Sequence, residues 1–144
     1  MSGEKIAIAS DHAGVELKAA LKQVLASAGC EVLDLGTDGS ASVDYPDFAD
    51  ALAARMRAGD VARGVLICGT GIGIGIAANR HKGVRAALCH DVTSARLSRQ
   101  HNDANVLVLG ARMVGAEVAR DCLLAFLETP FEGGRHERRV AKLG

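Results

Sequence analysis

The sequence predicts a three-layer α/β/α sandwich around a five-stranded, mainly parallel sheet. Three observations predict it. Five short apolar runs alternate with amphipathic stretches along the 144 residues, as when strands are joined by crossover helices. The runs are continuous, the pattern of strands buried on both faces. Aromatic residues are only 3% against 49% hydrophobic residues overall. The core must therefore be built from Ala, Val, Ile and Leu, which suits helices packed on a parallel sheet.

Each element has its own signal. The first strand is read at Ile6-Ala7-Ile8-Ala9. A helix follows, with Leu17, Leu21, Val24, Leu25 and Ala28 on one face and Lys18, Lys22 and Gln23 largely elsewhere. Gly29 stops it. The second strand is Val32 to Leu35. Pro46 suits the first turn of a second helix, where its missing N–H costs nothing. Phe48, Leu52 and Met56 repeat along that helix, and Gly59 ends it. Strands three, four and five are read at Gly64–Cys68, Val84–Leu88 and Val106–Leu109. Asp91 can cap a helix running through Arg99. Val114, Val118 and Phe126 mark another, stopped before Pro130. The whole, 1–144, reads as one Rossmann-like domain of a size that supports a real core. Residues 133–144 are expected to be a C-terminal arm packing on a partner subunit, opened by Gly133-Gly134, with a short basic helix from Arg135 to Leu143; the plain alternative is a frayed tail.

Composition excludes several classes. Seventeen basic and seventeen acidic side chains give zero net charge, so the basic excess of a nucleic-acid binder is missing. Phe48, Phe126, Phe131 and Tyr45 are too few to make stacking platforms. No stretch has the length of a membrane span, and the start lacks the apolar region of a secretory signal. The expected location is the cytoplasm. Cys30, Cys68, Cys89 and Cys122 are widely spaced and form no C-x-x-C, so neither a zinc site nor a redox pair is expected. Their default reading is as small buried hydrophobes.

Three segments at strand ends, the edge where ligands bind in open α/β sheets, are expected to carry chemistry. Ser10-Asp11-His12 comes directly after the first strand, where ligands bind in open α/β sheets. Asp11 can serve simply as a helix cap, but His12 beside it can donate to a phosphate or hydroxyl. Next is Cys68-Gly69-Thr70-Gly71-Ile72-Gly73-Ile74-Gly75. It lacks both the P-loop ending and the G-x-G-x-x-G spacing. Four alternating glycines exceed the needs of a turn. They let backbone N–H groups make an anion-binding concavity at a helix start. Cys68 stands at its mouth, where such N–H groups favour negative charge on sulfur. The third segment, Ser98 to Asp103, holds His101 and Asn102. His101 can act as a general acid or base and Asn102 can hold sugar hydroxyls. A plain helix C-terminus would use the same residues. Arg112 comes after strand five, while Arg135 and Arg139 are four apart and share a helix face. Guanidiniums match phosphate oxygens, and so small a cluster suits a small anion.

Asp11-His12-Ala13-Gly14, Asp44-Tyr45-Pro46, Cys68 to Gly73, Ala77-Ala78-Asn79, Ser98 to Asp103 and Gly133-Gly134-Arg135-His136 together resemble the type B ribose-5-phosphate isomerase family, which includes galactose-6-phosphate isomerase subunits. The resemblance spans essentially the whole chain. It implies an isomerase of the pentose phosphate pathway that interconverts ribose 5-phosphate and ribulose 5-phosphate without metal or cofactor. It implies that Cys68 moves a proton between C1 and C2, that Gly69, Thr70, Gly71, Ile72 and Gly73 hold the enediolate oxygens, and that His101 assists ring opening. It further implies that Asp11, His12, Tyr45 and Asn102 line the sugar site, and that Arg112, Arg135 and Arg139, with His12, hold the phosphate. Members are dimers with shared active sites, which implies a homodimer here, with pairing into a dimer of dimers left open. One branch uses a glutamate base where this chain has Ile74, so the chain resembles the cysteine branch. The alternatives are a six-carbon substrate, allose 6-phosphate or galactose 6-phosphate, and a noncatalytic sugar-phosphate or nucleotide-binding module.

Overall fold

The computed structural model describes residues 3–144. Five strands and six helices alternate along the chain. They are β1 (Lys5–Ser10), α1 (Val15–Ser27), β2 (Glu31–Asp34), α2 (Tyr45–Arg57), β3 (Arg63–Cys68), α3 (Ile72–Asn79), β4 (Ala86–Leu88), α4 (Val92–Asn102), β5 (Val106–Gly110), α5 (Ala116–Glu128) and α6 (Arg135–Ala141). A one-turn 3₁₀ segment, His12–Gly14, precedes α1.

The strands form one sheet in the order β2-β1-β3-β5-β4, and every pairing is parallel. The expected α/β/α sandwich is therefore observed. Apolar runs make this possible because both faces of each central strand are covered. Ile6, Ile8, Val65, Ile67, Leu107 and Leu109 pack against α1, α4 and α5. Ala7, Ala9, Leu66, Cys68, Val106 and Val108 face α2 and α3. Small alanines on β1 allow α2 to lie close.

Four details differ from the sequence reading. β4 starts at Ala86, because Val84 closes a turn with its N–H on the His81 carbonyl. Asp91 does cap α4, accepting from Ser94 N at 2.6 Å, but the helix continues to Asn102 and ends on Asp103 in the left-handed region. Val114 lies before α5, whose start is set at Gly115. The largest difference is Lys18, placed off the apolar face of its helix yet only 2% exposed. Its ammonium reaches Asp34 at 2.7 Å and Asp38 at 2.9 Å. Lys22 holds the other Asp34 oxygen at 2.8 Å. Burial pushes the Asp34 carboxyl up, but Lys18, Lys22 and the Gly36 N–H outweigh it and hold it below its usual range. A buried ammonium needs such partners. The result anchors the segment leading from β2 toward Tyr45.

The order reverses between β1 and β3: α1 carries the chain outward to β2, and α2 returns it across β1. Loops leaving β1 and β3 thus diverge, and a crevice opens at their carboxyl ends.

Candidate active site

That crevice is an open cleft of about 560 Å³ lined by Asp11, His12, Ala13, Tyr45, Cys68, Gly69, Thr70, Ile72, Gly73, Ile76 and Arg112. The carboxyl ends of β1, β3 and β5 and the start of α2 converge on it. The residues expected from the first two segments meet here, with Tyr45 and Arg112. Ala13 and Ile76 are additions that the sequence did not single out.

Asp11 does cap the 3₁₀ turn, accepting from Ala13 N at 3.0 Å. The next residue, His12, is oriented by its neighbour: Val43 N donates to His12 Nδ1 at 3.2 Å. With Nδ1 accepting, the ring proton is on Nε2, leaving an N–H donor for a ligand.

The glycine loop is shaped by two constraints. Gly71 has φ +79°, and a Cβ there would stand 2.6 Å from Leu88 and 3.0 Å from the backbone of Leu109. At Gly73 a Cβ would meet the Tyr45 ring at 2.5 Å. Only glycine lets the loop turn at the first position and admit the tyrosine at the second. The segment beyond β5 clamps the loop from below, through Ala111 N on Cys68 O and Arg112 N on Gly69 O, both at 2.9 Å. The Arg112 guanidinium lies over Gly69.

Cys68 closes β3 on the α2/α3 face and is 4% exposed. Gly71 N donates to its Sγ at 3.2 Å. Ile72 N donates to Thr70 Oγ1 at 3.2 Å, which leaves the Thr70 hydroxyl its own proton to donate to a ligand. The first-turn amides of Gly73 and Ile74 have no helical acceptor. The sulfur thus stands beside the open N-terminus of α3, with one loop amide on it. Ile74 is fully buried in the sheet's α2/α3 face.

The other cysteines differ in setting. Burial pushes the Cys122 thiol up to about 11, reinforced by Cys89, Asp91 and Asp121. Burial also raises Cys89, against hydrogen bonds from Ser94 and Ser98. Burial and Glu4 raise Cys30. Brief iodoacetamide treatment of the native protein is therefore expected to label Cys68 first, with activity lost in step. Peptide mass mapping checks this, and prior labelling of Cys122 would refute it.

The third segment is not in the cleft. The sequence grouped it with the carboxyl ends of the strands, and the structure corrects that. α4 runs back across the sheet and ends just before β5 begins, so His101 and Asn102 stand at the amino edge. From Val106 to Gly110, β5 alone spans about 13 Å. Asn102 lines a separate cavity of about 370 Å³ with Asn79, Val84, Arg85, Ala86, Ala87, Ala104 and Leu143. Arg135 and Arg139, exposed on α6, lie on the same side as His101, because α6 packs on the end of α4 of its own chain. The residues singled out from the sequence therefore fall into two groups at opposite edges of one chain. A third surface links them. Ile72, Gly75, Ile76, Asn79, Arg80, Ala86 and Leu88 line a groove of about 420 Å³. It shares Ile72 and Ile76 with the cleft and Asn79 and Ala86 with the Asn102 cavity.

Known proteins match this geometry. The ribose/galactose isomerase family profile covers residues 6–143. Ribose-5-phosphate isomerase B of Escherichia coli is 49% identical over 137 residues, 95% of this chain and 92% of that one. D-erythrulose-4-phosphate isomerase of Pectobacterium atrosepticum is 43% identical, over 96% of this chain and 92% of that one. A ribose 5-phosphate isomerase structure from Thermotoga maritima superposes with TM-score 0.95 at 53% identity, covering 97% of both chains. Another, from Anaplasma phagocytophilum, gives 0.93 at 51%, covering 100% of this chain and 99% of that one. With the fold, the cleft and these relatives in agreement, the chain belongs to the ribose/galactose isomerase family and is an aldose–ketose isomerase.

Proposed function

We propose that the enzyme interconverts ribose 5-phosphate and ribulose 5-phosphate through an enediolate, with Cys68 as the base. The observation that carries this is Cys68 Sγ at the cleft wall, held by Gly71 N at 3.2 Å beside the open first turn of α3. His101 assists opening of the furanose. The Cys68 thiolate then takes the C2 proton of the open aldose, and negative charge spreads over O1 and O2. Thr70 Oγ1 and the loop amides from Gly69 to Gly73 meet that charge, where preorganised donors act most strongly. The O2 hydroxyl proton passes to O1, Cys68 returns its proton to C1, and the C2 carbonyl of the ketose forms, with no net change of oxidation state. Asp11, Tyr45 and Asn102 hold hydroxyls. His12, Arg112, Arg135 and Arg139 hold the phosphate, which fixes C1 and C2 against the sulfur.

Because Cys68 and His101 stand at opposite edges, this assignment requires a second copy. A two-fold interface presents the same patch twice. The linking groove offers one, with Ile72 and Ile76 54% and 55% exposed. A copy laid antiparallel along it brings His101, Asn102, Arg135 and Arg139, with the arm 133–144, toward the partner's cleft. We place this homodimer in the cytoplasm, where thiols stay reduced; no helix among the described residues is long and apolar enough to cross a membrane.

The test is a substrate panel of ribose 5-phosphate, allose 6-phosphate, galactose 6-phosphate and erythrose 4-phosphate, with ketose formation followed for each. Ribose 5-phosphate is expected to give the highest kcat/KM. A six- or four-carbon sugar leading the panel would reassign the substrate, and nucleotide binding without sugar turnover would overturn the enzyme.

A further inference from the structure

His136 is the second residue of α6 and is 8% exposed. Its ring lies flat on His101, with centroids 4.5 Å apart and planes 13° from parallel. The approach is fixed from both sides. Glu132 N donates to the Gln100 carbonyl at 3.1 Å, tying the preceding loop to α4, and His136 N donates to Gly133 O at 3.1 Å. Glu132 Oε1 lies 3.6 Å from His136 Nε2.

Ligand atoms of His101, Glu132 and His136 fall within 4.8 Å of one another, yet a cation is a poor occupant. Parallel rings send their in-plane lone pairs side by side, not to the common point that a metal needs. Burial, the His101 ring and Arg135 push the His136 imidazole below its usual range, against Glu132, and Arg139 adds to the lowering. That is a setting of positive potential around a neutral ring.

We infer that His136 is a positioning residue for His101: its flat ring sets the plane in which His101 meets the sugar ring. This rests on the reading of His101 as the group that assists ring opening. The torsion that turns a histidine ring is broad and weakly staggered, so His101 on the last turn of α4 needs a neighbour to fix it. Proton transfer to a furanose oxygen tolerates little rotation. The inference requires a flat face at position 136, not a titrating group.

The test uses full-length His136→Leu, His136→Asn, His136→Phe and His101→Ala proteins, with kcat and KM on ribose 5-phosphate and melting temperature as a fold control. Leucine and asparagine lack the ring, and asparagine stands in should leucine not fold. Each is expected to lower kcat about tenfold or more with KM little changed, since small misplacements of this kind are costly. Phenylalanine, which keeps a flat face, is expected to restore most of the rate. Added to His101→Ala, either ringless substitution should cost nothing further. The inference is overturned if phenylalanine is as slow as leucine, if the ringless variants match the parent, or if they slow the His101→Ala enzyme as much as the parent. Should His101→Ala itself turn over normally, the ring-opening assignment falls and takes the positioning role with it.

Discussion

Cys68→Ala is expected to lower kcat on ribose 5-phosphate by about 10³-fold, the scale of removing a positioned general base, with KM changed little. The side chain holds no phosphate and no hydroxyl in the proposed arrangement, so substrate grip rests on His12, Arg112 and the guanidiniums of α6. Cys68→Ser is the sharper variant. It keeps the shape and an acceptor for Gly71 N, but an alcohol is a far weaker acid than a thiol and yields almost no anion near neutral pH. The serine enzyme should be nearly as slow as the alanine one. A structural effect would look different. Cys68 is packed on the α2/α3 face of the sheet, so a damaged fold would lower the melting temperature and weaken binding together. Solvent deuterium adds a second readout, because an enzyme without its base should stop exchanging the carbon-bound proton. Wild-type turnover in either variant would remove sulfur from the mechanism.

The cleft half was legible from sequence for a physical reason. Asp11-His12 and Cys68 to Gly73 come directly after apolar runs, and parallel strands deliver the loops at their carboxyl ends to one edge. Tyr45 was visible through the family resemblance, but its contact with Gly73 was not. That contact depends on the approach of α2 to α3, which no local pattern encodes. The sheet order was likewise hidden, because five similar apolar runs do not name their neighbours.

The errors were also physical. Val84 and Arg85 read as strand by apolarity, yet Val84 N belongs to a turn and Arg85 N is held by Asn105 Oδ1 at 2.7 Å. Lys18 read as lying off the apolar face because periodicity sees polarity and not partners; Asp34 and Asp38 are 16 and 20 residues away. His136 stood out only as part of a glycine-rich block, since nothing in the spacing of His101 and His136 tells that their rings stack. Placing His101 with the strand ends was the most consequential error. A helix after a strand carries the chain back, so residues at its end belong to the opposite edge.

That edge assignment leads to the largest expected gain of activity. In the proposed dimer, Cys68→Ala and His101→Ala damage different halves of the site. In a homodimer of either variant, both sites carry the lesion. In a hybrid, the cleft of the Cys68→Ala subunit faces the alanine at position 101 of its partner, so that site carries both lesions. The other cleft keeps Cys68 and faces the intact His101 of the Cys68→Ala subunit. One of the two sites is therefore whole. Random reassortment of equal amounts makes half the dimers hybrid, so the mixture should reach about a quarter of parental activity from two nearly inactive proteins. Cys68→Ala with Arg112→Ala supplies the control. Both residues line the same cleft, so their hybrid has one damaged cleft in each subunit and no intact site. Recovery in the first mixture and none in the second requires that His101 reach the Cys68 cleft of another chain. If native mass spectrometry shows hybrids forming and the first mixture stays inactive, the two edges do not combine into one site.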